Sequence, residues 1–261
     1  MTLRILALLL VAACTGAPGA DDTGKDGADT DTDTDTDTDT DTDTDTDTDT
    51  DTDTDTVVVD LYLGTIHGTP IEGAPVTAGD ASGATDADGI VLLEVPPQTT
   101  LEVVAEPAGY PPLYLLVHSG SAGGLFGRAI ATADELSTLA AYLGATYDPA
   151  LGLLTVNTVT NTEDGFASLA GVTVDIDVPY DLVAVSDASN AAGYSVGNTT
   201  LEDNAAYVLF GNVPPGPVQL THTPPDGYAC ALSAGGAAPS ATTLTVRAGA
   251  ATSATFVCDP A

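Results

Sequence analysis

The sequence predicts an all-β protein: two small antiparallel Greek-key β-sandwich modules, joined by a linker with one short helix and preceded by a disordered spacer. Three observations carry that expectation. From Val57 onward, short β-branched and apolar runs recur between Gly, Pro and Asp turns, the texture of a sandwich or small barrel. One stretch alone, Thr132 to Gly144, has a capped helical period. Ahead of Val57 stand fourteen Asp-Thr pairs, Asp29–Thr56, with nothing apolar to bury. The apolar fraction, 43%, is enough for packed cores, but there is no Trp and there are only four Phe. The cores must therefore be built from Val, Leu, Ile, Ala and Tyr.

Residues 1–13 read as an export signal. Arg4 supplies the positive start, Ile5–Val11 the apolar core, and Ala12-Ala13 the small residues before a cut. The apolar run falls far short of the ~20 residues that span a bilayer. Val11-Ala12-Ala13-Cys14 resembles the lipobox of bacterial lipoproteins. That resemblance implies cleavage before Cys14, a diacylglyceryl group on its sulfur and acylation of the new amino terminus. Several acyl chains anchor where one would not. Thr15, rather than Asp, follows the lipidated residue, which in that family favours the outer membrane.

Residues 14–56 form the anchor and spacer. One carboxylate at every second position repels its neighbours and extends the chain. Fully extended, Asp29–Thr56 would reach roughly 90–100 Å at about 3.3–3.6 Å per residue. Loose calcium binding and O-glycosylation of the Thr hydroxyls stay open alternatives. The fixed offsets and Gly turn of a strong calcium loop are missing.

The first module is expected over 57–118. Val57–Leu63, Ala74–Ala78, Ile90–Val95, Leu101–Ala105 and Leu113–Val117 are its candidate strands. Asp86-Ala87-Asp88-Gly89 is a turn with a strand directly after it, which suggests a hairpin. Four segments resemble carboxypeptidase regulatory-like domains: Thr69–Val76 their opening, Thr85–Ile90 their Asp-Gly turn, Val95-Pro96-Pro97 a proline corner, and Ala108-Gly109-Tyr110 a late Gly-Tyr. Gln98 stands where that corner usually has Gly. The resemblance implies a prealbumin-like sandwich, related in shape to immunoglobulin-like domains.

Residues 119–150 are expected to be a Gly-rich linker and the helix. Thr132 and Glu135 make a capping box, and Leu136, Leu139, Ala140 and Leu143 form one apolar stripe ended by Gly144. So short a helix needs a sandwich to pack on. A role in binding a partner is the alternative.

The second module is expected over 151–261, with strands at Leu153–Thr160, Val172–Val178, Tyr207–Phe210, Val218–Thr223, Leu244–Arg247 and Thr255–Cys258. Gly171–Val174 repeats the strand opening. Tyr207–Gly216 repeats the proline corner, this time with its Gly, and Pro225-Asp226-Gly227-Tyr228 echoes Pro107–Tyr110. The chain thus reads as two divergent copies of one unit. With Cys14 taken by lipid, Cys230 and Cys258 are most simply a disulfide in an exported domain. Two free thiols are the alternative, but His222 is the one His in that module to assist them.

Charge and motifs restrict function. The chain carries −34, and residues 57–261 hold only two basic side chains, Arg128 and Arg247. Phosphate contacts to nucleic acid and adhesion to anionic headgroups are excluded on that ground. No hydrolase nucleophile elbow is expected, and none of His67, His118 and His222 has a partner at zinc-ligand spacing. Lys–Asn isopeptide cross-links need a lysine, and Lys25 in the spacer is the only one. Asp175 and Asp177 share one strand face; a solvated face is the plain reading, and a calcium site completed by Asp181 the sharper one. The expectation is a non-catalytic cell-envelope lipoprotein with no metal or cofactor, whose modules bind or scaffold an envelope protein or glycan. The alternative is an accessory subunit of a separate exported enzyme such as a peptidase or glycan hydrolase. In both cases the membrane is met through the lipid anchor.

Overall fold

Val59, Leu61 and Leu63 alternate with partly exposed neighbours, so the first strand, β1 (Val57–Thr65), has one face to bury. The same alternation builds β2 (Pro75–Ala78), β4 (Ile90–Val95), β5 (Thr100–Ala105) and β6 (Leu113–His118), with β3 (Ala81–Ala84) between β2 and β4 and β7 (Gly124–Ile130) last. The structure is a computed structural model that describes residues 56–120, 124–162, 165–190, 192–201, 206–232 and 243–261. The expected signal segment, Cys14 and the Asp-Thr run up to residue 55 lie outside the described residues.

In the first module, β4-β1-β7 form one sheet and β3-β2-β5-β6 line up in the facing one. Their inward residues make one core, among them Leu61, Leu93, Val103 and Leu115. The second module follows with β8 (Gly152–Thr162), β9 (Gly165–Ser168), β10 (Thr173–Ile176), β11 (Leu182–Ser186), β12 (Tyr194–Val196), β13 (Tyr207–Val213), β14 (Gly216–Thr223), β15 (Tyr228–Leu232), β16 (Thr243–Val246) and β17 (Ala251–Pro260). It has the same plan. The β13-β8-β17 trio corresponds to β4-β1-β7, and β10-β14-β16 to β2-β5-β6. In each module the first and last strands run parallel, β1 with β7 and β8 with β17. The internal repeat read from the sequence is therefore a repeat of topology. It extends to local turns: Tyr110 and Tyr228 each donate their backbone N–H to a proline carbonyl three residues back, at 3.2 Å, after Gly109 and Gly227 at φ 85° and 83°.

Three expectations need correction. The sheets are not antiparallel throughout, because β1–β7, β8–β17 and β6–β17 are parallel pairs. Each joins strands far apart in sequence. Residues 119–128, read as linker for their Gly and Ser, contain most of β7, whose ladder to β1 runs from Val59–Gly124 to Thr65–Ile130. Pairing with a strand already in place outweighs weak intrinsic strand preference. The turn at Asp86–Gly89 does not close a hairpin either. β3 pairs with β2 and β4 with β1, so this turn carries the chain from one sheet to the other. Asp86 Oδ1 accepts the N–H groups of Asp88 and Ile90, and the buried Thr85 hydroxyl donates to the Ile71 carbonyl while accepting from Ala74 N–H. Gly89 at φ 76° has no room for a side chain: a Cβ there would sit 2.4 Å from the Leu63 carbonyl oxygen.

The modules share a sheet. Edge strand β6 of the first pairs with β17 of the second, through Leu113–Ala251 to Leu115–Ser253. The result is a continuous path β12-β11-β13-β8-β17-β6-β5-β2-β3, to which β9 and β15 attach. Strands of the second module are consequently buried on both faces. Leu154, Val156, Val208 and Phe210 face the second core, whereas Leu153, Leu182, Leu209 and Ala251 face the first. Helix α1 (Ala133–Tyr142) covers that other face, burying Leu136 and Ala140. Its capping box is formed as expected: Thr132 accepts from Glu135 N–H, and the Glu135 carboxylate accepts from Thr132 N–H at 2.7 Å. Among the described residues, no helix is long and apolar enough to cross a membrane.

Candidate functional site

Covering a twisted sheet with one short helix leaves space beneath it. A cavity of about 530 Å³ lies there, within the size range of small-molecule sites. Its floor is the outer face of the central sheet, including Leu153, Thr155 and Asn157 of β8 and Ser253 of β17. Residues two apart on a strand share a face, which is why these positions converge. Leu136, Leu139 and Tyr142 of α1 lie over it, and Arg128 and Ile130 of β7 stand at its side. Apolar surface dominates its lining.

Arg128 is the cationic group within. It is half-buried, and its Nε donates to Ser253 Oγ at 2.9 Å, Nη2 to Thr255 Oγ1 at 2.8 Å and Nη1 to its neighbour's Gly127 carbonyl at 2.6 Å. Every acceptor is neutral. Desolvation by burial lowers its pKa to about 10, still far enough above neutrality to leave it charged. The other basic residue of the folded region behaves differently. Arg247 donates to Glu102 Oε1 at 2.7 Å and lies 3.9 Å over the Tyr114 ring. Both arginines thus bridge the two modules, a role invisible in sequence because their partners lie more than a hundred residues away.

Two contacts fasten the helix over the cavity. His67 Nε2 and Glu135 Oε1 are 2.8 Å apart, and Tyr142 donates its hydroxyl to Asn190 Oδ1 at 2.8 Å. Burial alone would raise the Glu135 pKa. The backbone and hydroxyl of Thr132, together with His67, outweigh it and hold this carboxyl below its ordinary value.

The residues singled out by sequence are scattered. Cys230 and Cys258 sit directly opposite on β15 and β17 and are joined as a disulfide. Cys14 lies outside the described residues. The three histidines do not meet: His67 is on Glu135, His118 faces the Thr100 hydroxyl, and His222 contacts the Cys230 carbonyl and stacks against Phe256. Nor do the aspartates converge. Asp175 accepts from Ile176 N–H, Asp177 from Gln219 N–H, and Asp181 from Asn212. Among the described residues no group of three or more His, Cys, Asp or Glu is placed to hold a metal.

One motif corrects an expectation. Gly193-Tyr194-Ser195-Val196-Gly197 does have the spacing of a nucleophile elbow. The elbow requires a strand–turn–helix that exposes the serine. Here Ser195 lies inside the three-residue strand β12, its hydroxyl donating to Asp187 Oδ2 at 2.5 Å. Asp187 is a turn anchor: bonds from Ser189, Ser195 and the Ser189 and Asn190 backbone hold its pKa below the ordinary value against slight desolvation. The histidines, engaged elsewhere as described, do not complete a triad with this pair.

Comparison with protein families finds none that matches this chain, and comparison with curated proteins finds no relative. Solved structures that match this chain include a minor pilin of Streptococcus agalactiae, at 13% identity, covering 78% of this chain and 96% of that one, with a TM-score of 0.29. They also include the shaft pilin SpaA of Lactobacillus rhamnosus GG, at 14% identity over 79% and 98% of the two chains, with a TM-score of 0.24. The Bacillus anthracis TIE protein is similar at 15% identity over 78% of this chain, with a TM-score of 0.26, and the match spans 34% of its length. At TM-scores this low, the likenesses assign neither a fold family nor a function.

Proposed function

We propose that this chain is a non-catalytic display protein of the bacterial cell envelope. Lipid on Cys14 holds it to a membrane, the outer membrane where two are present. The Asp-Thr run sets its distance from that surface, and the paired sandwiches present a binding or scaffolding surface there. The observation that carries this reading is the order of parts: a lipobox-like Val11–Cys14, then a spacer of uniform negative charge, then a double sandwich beginning at Val57. The like charges of Asp29–Thr56 disfavour collapse onto the equally acidic modules. The double sandwich, stiffened by a shared sheet, keeps its surfaces in fixed relation.

The test replaces Cys14 by Ala and fractionates cells that express the full chain. The native chain partitions with membranes and the Cys14→Ala chain is recovered in the soluble fraction. Membrane recovery of both chains alike would overturn the anchor.

A further inference from the structure

We propose that the cavity between α1 and the central sheet is a binding site for a small amphipathic monocarboxylate, with its apolar body under the helix and its carboxylate on Arg128. Four observations carry this. The cavity, about 530 Å³, has a mostly apolar surface with the Arg128 guanidinium at its side, the pattern of small-molecule sites. Arg128 has five N–H donors, and three are used within the protein. One N–H on each terminal nitrogen is therefore open to a ligand, and two such donors in one plane match a carboxylate.

The third observation is the partner Arg128 lacks. Among the described residues the arginine–carboxylate ion pair is Arg247–Glu102. In a chain with 38 acidic side chains, an arginine desolvated among hydroxyls stands out. A half-buried guanidinium without an anion has lost water without gaining a countercharge, and a bound carboxylate restores it. Fourth, the donors are held in place before any ligand arrives. Ser253 and Thr255 project from the same face of β17 and fix the guanidinium from one side, while Asn157 donates to Ser253 at 3.4 Å. That fixation reduces the ordering cost of binding.

The charge of the ligand is also constrained. Asp134 and Glu135 line the same cavity, so a polyanion would meet two carboxylates for one cation. A single carboxylate is the anion that fits. A purely structural role for Arg128, as a strut from β7 to β17, would leave neutral and charged probes alike.

Calorimetry with the full chain separates these roles, using decanoate below its micelle concentration and decan-1-ol as the neutral probe. Decanoate is expected to bind at least tenfold tighter than decanol. Arg128→Met, which keeps the apolar stem, is expected to weaken decanoate at least tenfold and leave decanol within about twofold. A second variant, Leu139→Trp, fills the space under the helix with Arg128 intact and is expected to abolish binding of both. Its circular dichroism serves as the folding control, and it decides the matter if Arg128→Met fails to fold. Equal affinity for the two probes, unchanged decanoate binding by either folded variant, or no binding of decanoate by the native chain would overturn the proposal.

Discussion

A single backbone angle marks a point at which the two modules part. The proline corner of the first module ends in Gln98 and that of the second in Gly216. Gln98 adopts the left-handed conformation, at φ 52°, whereas Gly216 has φ 145°. For a residue with a Cβ this conformation costs roughly 1–2 kcal/mol. Glycine would remove that strain but lose about 0.5–1 kcal/mol more backbone entropy on folding. Gln98→Gly is therefore expected to stabilise the chain by about 0.5–1 kcal/mol, read as a higher urea midpoint with an unchanged slope. A lower midpoint would mean that the Gln98 side chain contributes more than its backbone costs.

At the scale of elements, the sequence is most informative where turn residues bound an apolar run. Ile90–Val95 is legible to its ends because its apolar run is bounded by Gly89 and Pro96. The sequence is least informative where tertiary pairing decides. β7 carries Gly at 124 and 127, and β11 is buried at four of its five positions, so neither shows an alternation to read. The helix is legible because its cap is local. That cap has a pH signature. Glu135 has a lowered pKa in the folded state, so its contribution is complete above the ordinary glutamate value of about 4.3. It is lost as pH falls through the lower folded value. Glu135→Gln should cost about 1 kcal/mol at neutral pH, in the range of helix-cap substitutions. The difference from the native chain should vanish in acid, where thermal melts of the two converge. A constant gap across pH would show that packing, not charge, is at issue.

The disulfide belongs to the same scale. Among the described residues β15 pairs with β17 alone, and its residues Tyr228–Ala231 are at most half-buried. The bridge between directly opposed Cys230 and Cys258 thus reinforces that ladder. With a sequence separation of 28, the chain-entropy relation gives about 3–4 kcal/mol. Replacing both Cys by Ala should lower unfolding free energy by that amount, with β15 amides losing hydrogen-exchange protection first. Equal protection of β15 and β17 in the variant would contradict this role.

For the whole molecule, two sandwiches read as beads on a linker are one body with a shared sheet. The join is not legible in sequence, because β6 and β17 lie far apart along the chain and each reads as an ordinary strand. The same holds for the cavity: Arg128, Ser253 and Leu139 carry no common motif, and only the fold brings them together. What is legible in the sequence is the basis of the proposed attachment, since a lipobox-like tetrad and an alternating acidic run are local features. Membrane display through Cys14 is the central claim, and mass spectrometry of the amino-terminal peptide, purified from the membrane fraction, tests it most directly. The expected peptide begins at Cys14 and carries the mass of a diacylglyceryl group with a further acyl chain. A peptide in which Ala13 remains joined to an unmodified Cys14 would contradict it.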